Sequence, residues 1–222
     1  MLLAAVVGLQ VGEPLLAHRS VTTEVLFDVA FVAACLYLVH IVFGEARHRL
    51  IGFLLFLPIT AGQLGVYVLP SRLHTPSVVL AHASVIALLG FAVAIILRDL
   101  FRKSVISGDD VLGAIVGYIL VAMVWANLYA LAYMFAPGAF TVSTDIAAQL
   151  GDWRLKRSLF AYLSLTTLTS MGYGDITSVG QPAFSLSWTE VMLGQFYMAI
   201  VVAQLVGLKL AQAIGQASPG RR

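Results

Sequence analysis

Long runs of apolar residues alternate with short polar connections along this 222-residue chain. An apolar helix crosses a bilayer once it reaches about 18 to 20 residues. Five runs meet that length with few or no charges, at 25–43, 50–69, 77–97, 111–136 and 184–212. The pattern therefore predicts an all-α membrane protein with at least five transmembrane helices.

The opening run leaves the number of spans open at five or six. Residues 1–17 reach the lower limit of spanning length only by including Glu13 and Pro14. A secretory signal needs basic residues before its apolar core and a cleavage site of small residues, and this stretch has neither. A short spanning helix or a half-buried helix is the preferred interpretation.

Composition supports the membrane assignment, because 60% of the residues are hydrophobic and only 11% are charged. The mean hydropathy is +0.93, which is incompatible with a water-soluble globule of this length. The net charge is only +2, and no basic patch suggests a nucleic-acid partner. The lipid bilayer is thus the expected surrounding.

Basic residues indicate the orientation, since cytoplasmic connections are enriched in lysine and arginine. Arg47 and Arg49 lie in one connection, and Arg98, Arg102 and Lys103 lie in another two helices later. With both connections inside, eight basic residues are cytoplasmic and five are external. We expect a multi-pass protein of the cell membrane, most simply the inner membrane of a bacterium.

The segment between the last two long runs differs from an ordinary loop. Residues 158–169, "SLFAYLSLTTLT", are apolar enough for a helix but too few to span, so we expect a helix that dips into the membrane and returns. The following "SMGYGD", 170–175, is not helical, and such backbone is tolerated at membrane depth only where protein covers it or where it lines water. Gly172 and Gly174 permit torsions that let successive carbonyl oxygens face one axis and replace the water around a cation.

This string resembles the selectivity filter of tetrameric pore-loop potassium channels. The resemblance implies that K+ ions bind at Ser170, Met171, Gly172, Tyr173 and Gly174. Met171 stands where valine is commoner, and Ser170 replaces a threonine, which keeps the hydroxyl and loses a methyl group. No other cofactor is implied. The motif covers 111–212, and the first hundred residues match only the general layout of small bacterial six-helix channels.

The family order also implies supporting residues and an assembly. Four chains surround one pore, so the partners expected are three further copies of this chain, the lipid bilayer and potassium ions. Thr169 and Asp175 flank the filter as its support, with Tyr162 of the short helix as the hydrogen-bond donor to Asp175. For Tyr162, an aromatic residue at the membrane interface is an equal alternative.

The last helix offers candidates for the cavity and the gate. Gly194 lies where family members keep a glycine that lets this helix bend, although glycine equally serves close helix packing. Gln195, Met198 and Val202 share one helix face and are the expected cavity lining, or, for Gln195, a partner in an interhelical hydrogen bond. Glu190 is the only acid of this helix, and we expect it to pair with a hydroxyl of the short helix or with water.

The helix before the pore unit bears on how the channel is controlled. Residues 77–97 carry no arginine, and the first basic residue is Arg98 at the cytoplasmic end. His82 is its only titratable group and is expected to be a hydrogen-bonded packing residue. Asp109 and Asp110, just beyond, predict the N-terminal cap of the next helix. The chain thus divides into N-terminal helices (1–103), a pore domain (104–212) and a short tail (213–222).

These features predict a potassium-selective channel that conducts passively and depends weakly or not at all on voltage. The alternative is an ion-translocating subunit of a larger cation transport complex. We do not expect an enzyme, because the intramembrane acids Asp28 and Glu190 lie in different helices without a catalytic motif. A secondary transporter would show two similar halves with paired broken helices, and this sequence does not.

Overall fold

The computed structural model describes residues 46–68, 70–143 and 153–217, together with four isolated positions between 30 and 37. Five helices form this part of the chain. They are α1 (Ala46–Val68), α2 (His74–Arg102), α3 (Gly108–Phe135), α4 (Trp153–Leu168) and α5 (Gln181–Ala217). Two one-turn 3-10 helices, Ser71–Leu73 and Pro137–Ala139, lie in the connections.

Three of the described helices are long and apolar enough to cross a membrane: α2, α3 and the Gln181–Ile214 part of α5. By the length and composition of these helices, the prediction of a helical membrane protein is confirmed. Residues 50–68 of the predicted span 50–69 are helical in α1, and residue 69 lies outside the described residues. Helix α1 already includes Ala46, because Arg47 and Arg49 end an apolar run without ending a helix. The run 25–43 and the opening run 1–17 lie almost entirely outside the described residues.

Helix α3 occupies the centre of the described structure. Helix α1 packs on α2, α2 packs on α3, and α3 in turn contacts both α4 and α5. The shared core includes Leu88 and Ala92 of α2 and Leu120 and Ala122 of α3, each almost completely buried. Helix α3 thus contacts α2 and the last two helices directly, and α1 reaches it through α2.

Glycine permits two of these contacts to be unusually close. A Cβ at Gly62 of α1 would lie 2.6 Å from the carbonyl oxygen of Ser77. A Cβ at Gly117 of α3 would lie 2.7 Å from the hydroxyl of Tyr197, which donates a hydrogen bond to Ala114 O over 2.6 Å. Small residues that let helices approach are typical of membrane bundles, and Tyr197 uses that space to attach α5 to α3.

The connection between α2 and α3 spans only residues 103–107 and is closely held. Ser107 is the N-cap of α3 and forms a capping box with Asp110, which accepts from the Ser107 backbone N–H over 2.8 Å. Lys103 forms an ion pair with the same carboxylate. The predicted capping role is therefore confirmed for Asp110. Ile106 is buried in the hydrophobic core, so the turn is anchored by apolar contact as well.

Two short strands accompany the helices of this mostly helical chain. Strand β1 (Phe140–Val142) pairs antiparallel with β2 (Ile176–Ser178), with Phe140 opposite Ser178 and Val142 opposite Ile176. They join the chain before α4 to the chain after it. Phe140 also packs its ring against Tyr129, Tyr133 and Phe160, which fixes β1 to α3 and α4.

The last helix is also longer than predicted. Helix α5 continues to Ala217, so residues 213–217, expected in a tail, extend the helix instead. The apolar run ends near Gln212, but glutamine and alanine are good helix formers and continue the helix into polar sequence.

Candidate functional site

The predicted ion-binding string lies between α4 and β2, and we call residues 169–175 the glycine segment. Helix α4 is 16 residues long, which is too short to cross a bilayer. The first amides of the segment fold back on the end of α4: Ser170 N–H donates to Thr167 O over 2.9 Å, and Met171 N–H donates to Thr166 O over 2.8 Å. The segment therefore starts at a fixed position, directly after the last turn of the helix.

The backbone of the glycine segment alternates in handedness. Ser170, Gly172 and Gly174 have φ of +58°, +52° and +78°, whereas Met171 and Tyr173 between them do not have positive φ. Glycine adopts this region without penalty. Ser170 does not, and a non-glycine residue there costs about 1–3 kcal/mol and persists only where its surroundings hold it.

Gln195 supplies one such restraint on Ser170. Its Nε2 donates to Ser170 Oγ over 2.9 Å, so the amide lies directly against the start of the segment. That Gln195 lines a cavity stays a prediction. Met198 and Val202 are exposed on α5 one and two turns further along. The structure thus brings Gln195 to the segment, and it leaves Met198 and Val202 at increasing distance along the helix.

Within the described part of the chain, the glycine segment stays largely uncovered. Residues 169–174 are all exposed, with Met171 at 59% and Tyr173 at 67% of their full accessible surface. The flanking residues Leu168 and Ile176 are buried. The segment is therefore anchored at both ends and bare between them.

Tyr162 connects α4 to the far end of the segment. Its hydroxyl donates to Asp175 Oδ2 over 2.7 Å, and its ring stacks on that of Tyr173 at 6.2 Å between centroids. Asp175 also accepts from the N–H of Ile176 over 3.0 Å, so its carboxylate has two fixed donors.

Thr169, the first residue after α4, contacts the end of that helix. Its hydroxyl donates to Leu165 O over 2.7 Å and so satisfies a carbonyl of the last turn of α4. This contact stabilises the end of the helix and keeps the hydroxyl turned toward α4.

The carbonyl oxygen of Leu168 is held from two sides. Tyr118 of α3 donates to it over 3.0 Å, and Gly194 of α5 lies so close that a Cβ there would overlap it. Close packing at Gly194 is thus present in the structure, with α5 helical through this position. Bending there stays a prediction.

Two tyrosines that hydrogen-bond to the site were not predicted from the sequence. Tyr118 is 50 residues from its partner, and Tyr129 of α3 donates to Glu190 Oε2 over 2.6 Å across 61 residues. Both tyrosines lie inside an apolar run, where nothing local separates a hydrogen-bonded ring from a packing ring. The Glu190 partner on the short helix, a hydroxyl as expected, is Ser164.

Comparisons with protein-family models, with curated proteins and with solved structures find no match to this chain.

Proposed function

We propose that this protein is a subunit of a potassium-selective channel that conducts K+ passively across the cell membrane. The alternating φ of the glycine segment is the observation that carries the proposal. In an extended chain, successive carbonyls point to opposite sides, whereas alternation of left- and right-handed residues turns them toward one side. A row of such oxygens replaces the hydration shell of a cation.

The exposed segment supports an assembly around a common axis. Non-helical backbone at membrane depth has to be covered by protein or to line water, and the described part of one chain leaves residues 169–174 exposed. A single chain also offers only one row of oxygens. We propose four copies around the pore, each contributing Ser170, Met171, Gly172, Tyr173 and Gly174, with the C-terminal end of α4 directed at the ions so that its negative dipole favours a cation.

Purified protein in a planar bilayer, with potassium chloride on one side and sodium chloride on the other, tests the proposal. We expect single-channel currents with a reversal potential close to that of potassium, and cross-linking that stops at four chains. Currents that appear only with other proteins present would favour the alternative, a subunit of a larger cation transport complex. A reversal potential near zero would show that the segment does not select potassium.

Gly172→Ala sharpens this test, because nothing lies within 4 Å of a Cβ at Gly172. Within the described part of one chain the methyl group meets no neighbour, so its effect there is on the backbone, where a left-handed residue costs roughly 1–2 kcal/mol. We expect loss of selectivity or of conduction while the protein still inserts and assembles. Gly113→Ala in α3 is the matched control, since its Cβ also meets open space and its backbone is helical.

A further inference from the structure

The carboxyl group of Glu190 lies where three elements meet behind the glycine segment. It is completely buried on α5. Its Oε1 contacts the hydroxyl of Ser164 on α4, and its Oε2 accepts from Tyr129 of α3 over 2.6 Å. A carboxyl group buried in a membrane protein is costly unless its oxygens are paired, and here both of them are.

The Ser164 hydroxyl has a single proton, which decides the donor in its contact with Glu190. Ser164 Oγ lies 2.6 Å from the carbonyl oxygen of Ala122, which can only accept, so the single proton of the hydroxyl is used there. The same Oγ is in hydrogen-bond contact with Glu190 Oε1. An ionised carboxylate would have no proton to place between these two oxygens, and a carboxylic acid has one.

The other carboxyl oxygen fits the same assignment and extends it toward β2. Tyr129 donates its one proton to Glu190 Oε2. In the 3.3 Å contact between Tyr129 and Ser187, the Ser187 hydroxyl is therefore the donor and the Tyr129 oxygen the acceptor. Ser187 lies 2.6 Å from Ser178 of β2, which then donates to it. One proton per group thus forms an unbroken chain from Ser178 through Glu190 to the Ala122 carbonyl.

The described residues around Glu190 offer no charge to balance an ionised group. The titratable groups that face Glu190 are the phenols of Tyr129 and Tyr118 on α3, while α4 presents the neutral Ser164 and β2 is reached through neutral serines. Within the described part of the chain, no lysine, arginine or histidine pairs with it. A neutral acid needs no such partner.

We propose that Glu190 is a neutral carboxylic acid, and that its proton is a structural component which holds both ends of the glycine segment. The proton ties α5 to Ser164, four residues before α4 ends. The second oxygen ties α5 to Tyr129 of α3, and Tyr129 also contacts Ser187, the α5 residue that bonds to Ser178 of β2. Glu190 is thus a positioning residue, and it acts on the segment through the two elements that anchor it.

Glu190→Gln and Glu190→Ala distinguish the neutral acid from a carboxylate. A glutamine amide reproduces the neutral acid, since its N–H donates to Ser164 and its carbonyl accepts from Tyr129. We expect the Gln variant to keep most of the thermal midpoint of the purified protein, and the Ala variant to lose several degrees because Ser164 and Tyr129 lose their partners. A Gln variant as unstable as the Ala variant, or one that fails to fold, would overturn the proposal.

Infrared spectroscopy at neutral pH reads the proton directly and needs no ion current. The difference between the spectra of the natural protein and of Glu190→Gln should contain the C=O stretching band of a protonated carboxylic acid. Carboxylate bands alone in that difference would show that Glu190 is ionised and the assignment wrong.

A third measurement connects the proton to ion passage and rests on the proposed function. In bilayers, we expect Glu190→Gln to keep potassium selectivity and Glu190→Ala to lose it. If the natural protein passes no potassium, the proposed function fails while the infrared and thermal results still decide the state of Glu190. If both variants select potassium equally well, the positioning role is wrong.

Discussion

At the scale of single residues, the Leu168 carbonyl shows why Gly194 has no side chain. This oxygen accepts from Tyr118 and lies against the Gly194 backbone, so the end of α4 is held between α3 and α5. Any Cβ at position 194 would displace the Leu168 carbonyl. The glycine segment begins at Thr169, the residue after Leu168.

We expect Gly194→Ala to lower the free energy of unfolding by about 1–3 kcal/mol, the usual cost of overpacking. Denaturation of the protein in detergent, followed by circular dichroism, measures the change. Gly207→Ala in the same helix is the control, because nothing lies within 4 Å of its Cβ. It should be neutral or stabilising, since alanine favours a helix over glycine by about 1 kcal/mol. Equal effects of the two substitutions would contradict the packing role.

The Tyr162–Asp175 hydrogen bond is a second contact of this scale. Tyr162→Phe removes the donor and leaves the ring stacked on Tyr173, so we expect a loss of about 1 kcal/mol, at the low end for a bond to a charged group because both residues are partly exposed. A double-mutant cycle with Asp175→Asn measures the coupling by denaturation. Fully additive effects would mean that the bond contributes nothing.

At the scale of elements, the capping box at Ser107 holds α2 and α3 in one arrangement. Ser107→Ala removes the cap of α3 and should lower the free energy of unfolding by about 1 kcal/mol. Ser104→Ala, at an exposed position of the same connection, should change it by less than about 0.5 kcal/mol. Thermal denaturation of both variants measures these changes. A larger loss of stability for Ser104→Ala would show that the cap is not what stabilises the turn.

The helices could be predicted from the sequence because their signal is local. The apolar runs 77–97, 111–136 and 184–212 all lie within α2, α3 and α5 or within one residue of their ends. The strands could not be predicted in this way. Each has three residues and pairs with a partner more than 30 residues away, so no alternating pattern develops.

In the candidate site too, local features could be predicted from the sequence and long-range contacts could not. Gly172 and Gly174 could be predicted because their positive φ is a property of the residue type. The contacts of Tyr118, Tyr129 and Tyr197 could not, because each joins helices across 50 residues or more.

At the scale of the whole molecule, α2 governs the expected response to voltage. Moving one elementary charge across the whole membrane is worth about 2.3 kcal/mol per 100 mV, and steep gating needs several such charges in each subunit. Helix α2 has no lysine, arginine or acid from His74 to Leu97. Its charges, Arg98, Asp99 and Arg102, gather at one end.

We therefore expect open probability to change only weakly across a wide voltage range in bilayers. Any remaining dependence should come from the permeant ion and differ between potassium and rubidium. A steep activation curve that is the same for both ions and flattens in Arg98→Gln would show that a protein charge moves.

The pairing of β1 with β2 has a consequence for the order in which this molecule folds. The two strands enclose residues 143–175, a loop of 33 residues. Closing a loop of that length costs about 3 kcal/mol of chain entropy, which two three-residue strands recover poorly. Helix α4 lies within the loop, and once it is docked against α3 and α5 the ends are already close together. We therefore expect the strand pair to close last, so that the glycine segment takes its final path only after the helices around it have assembled.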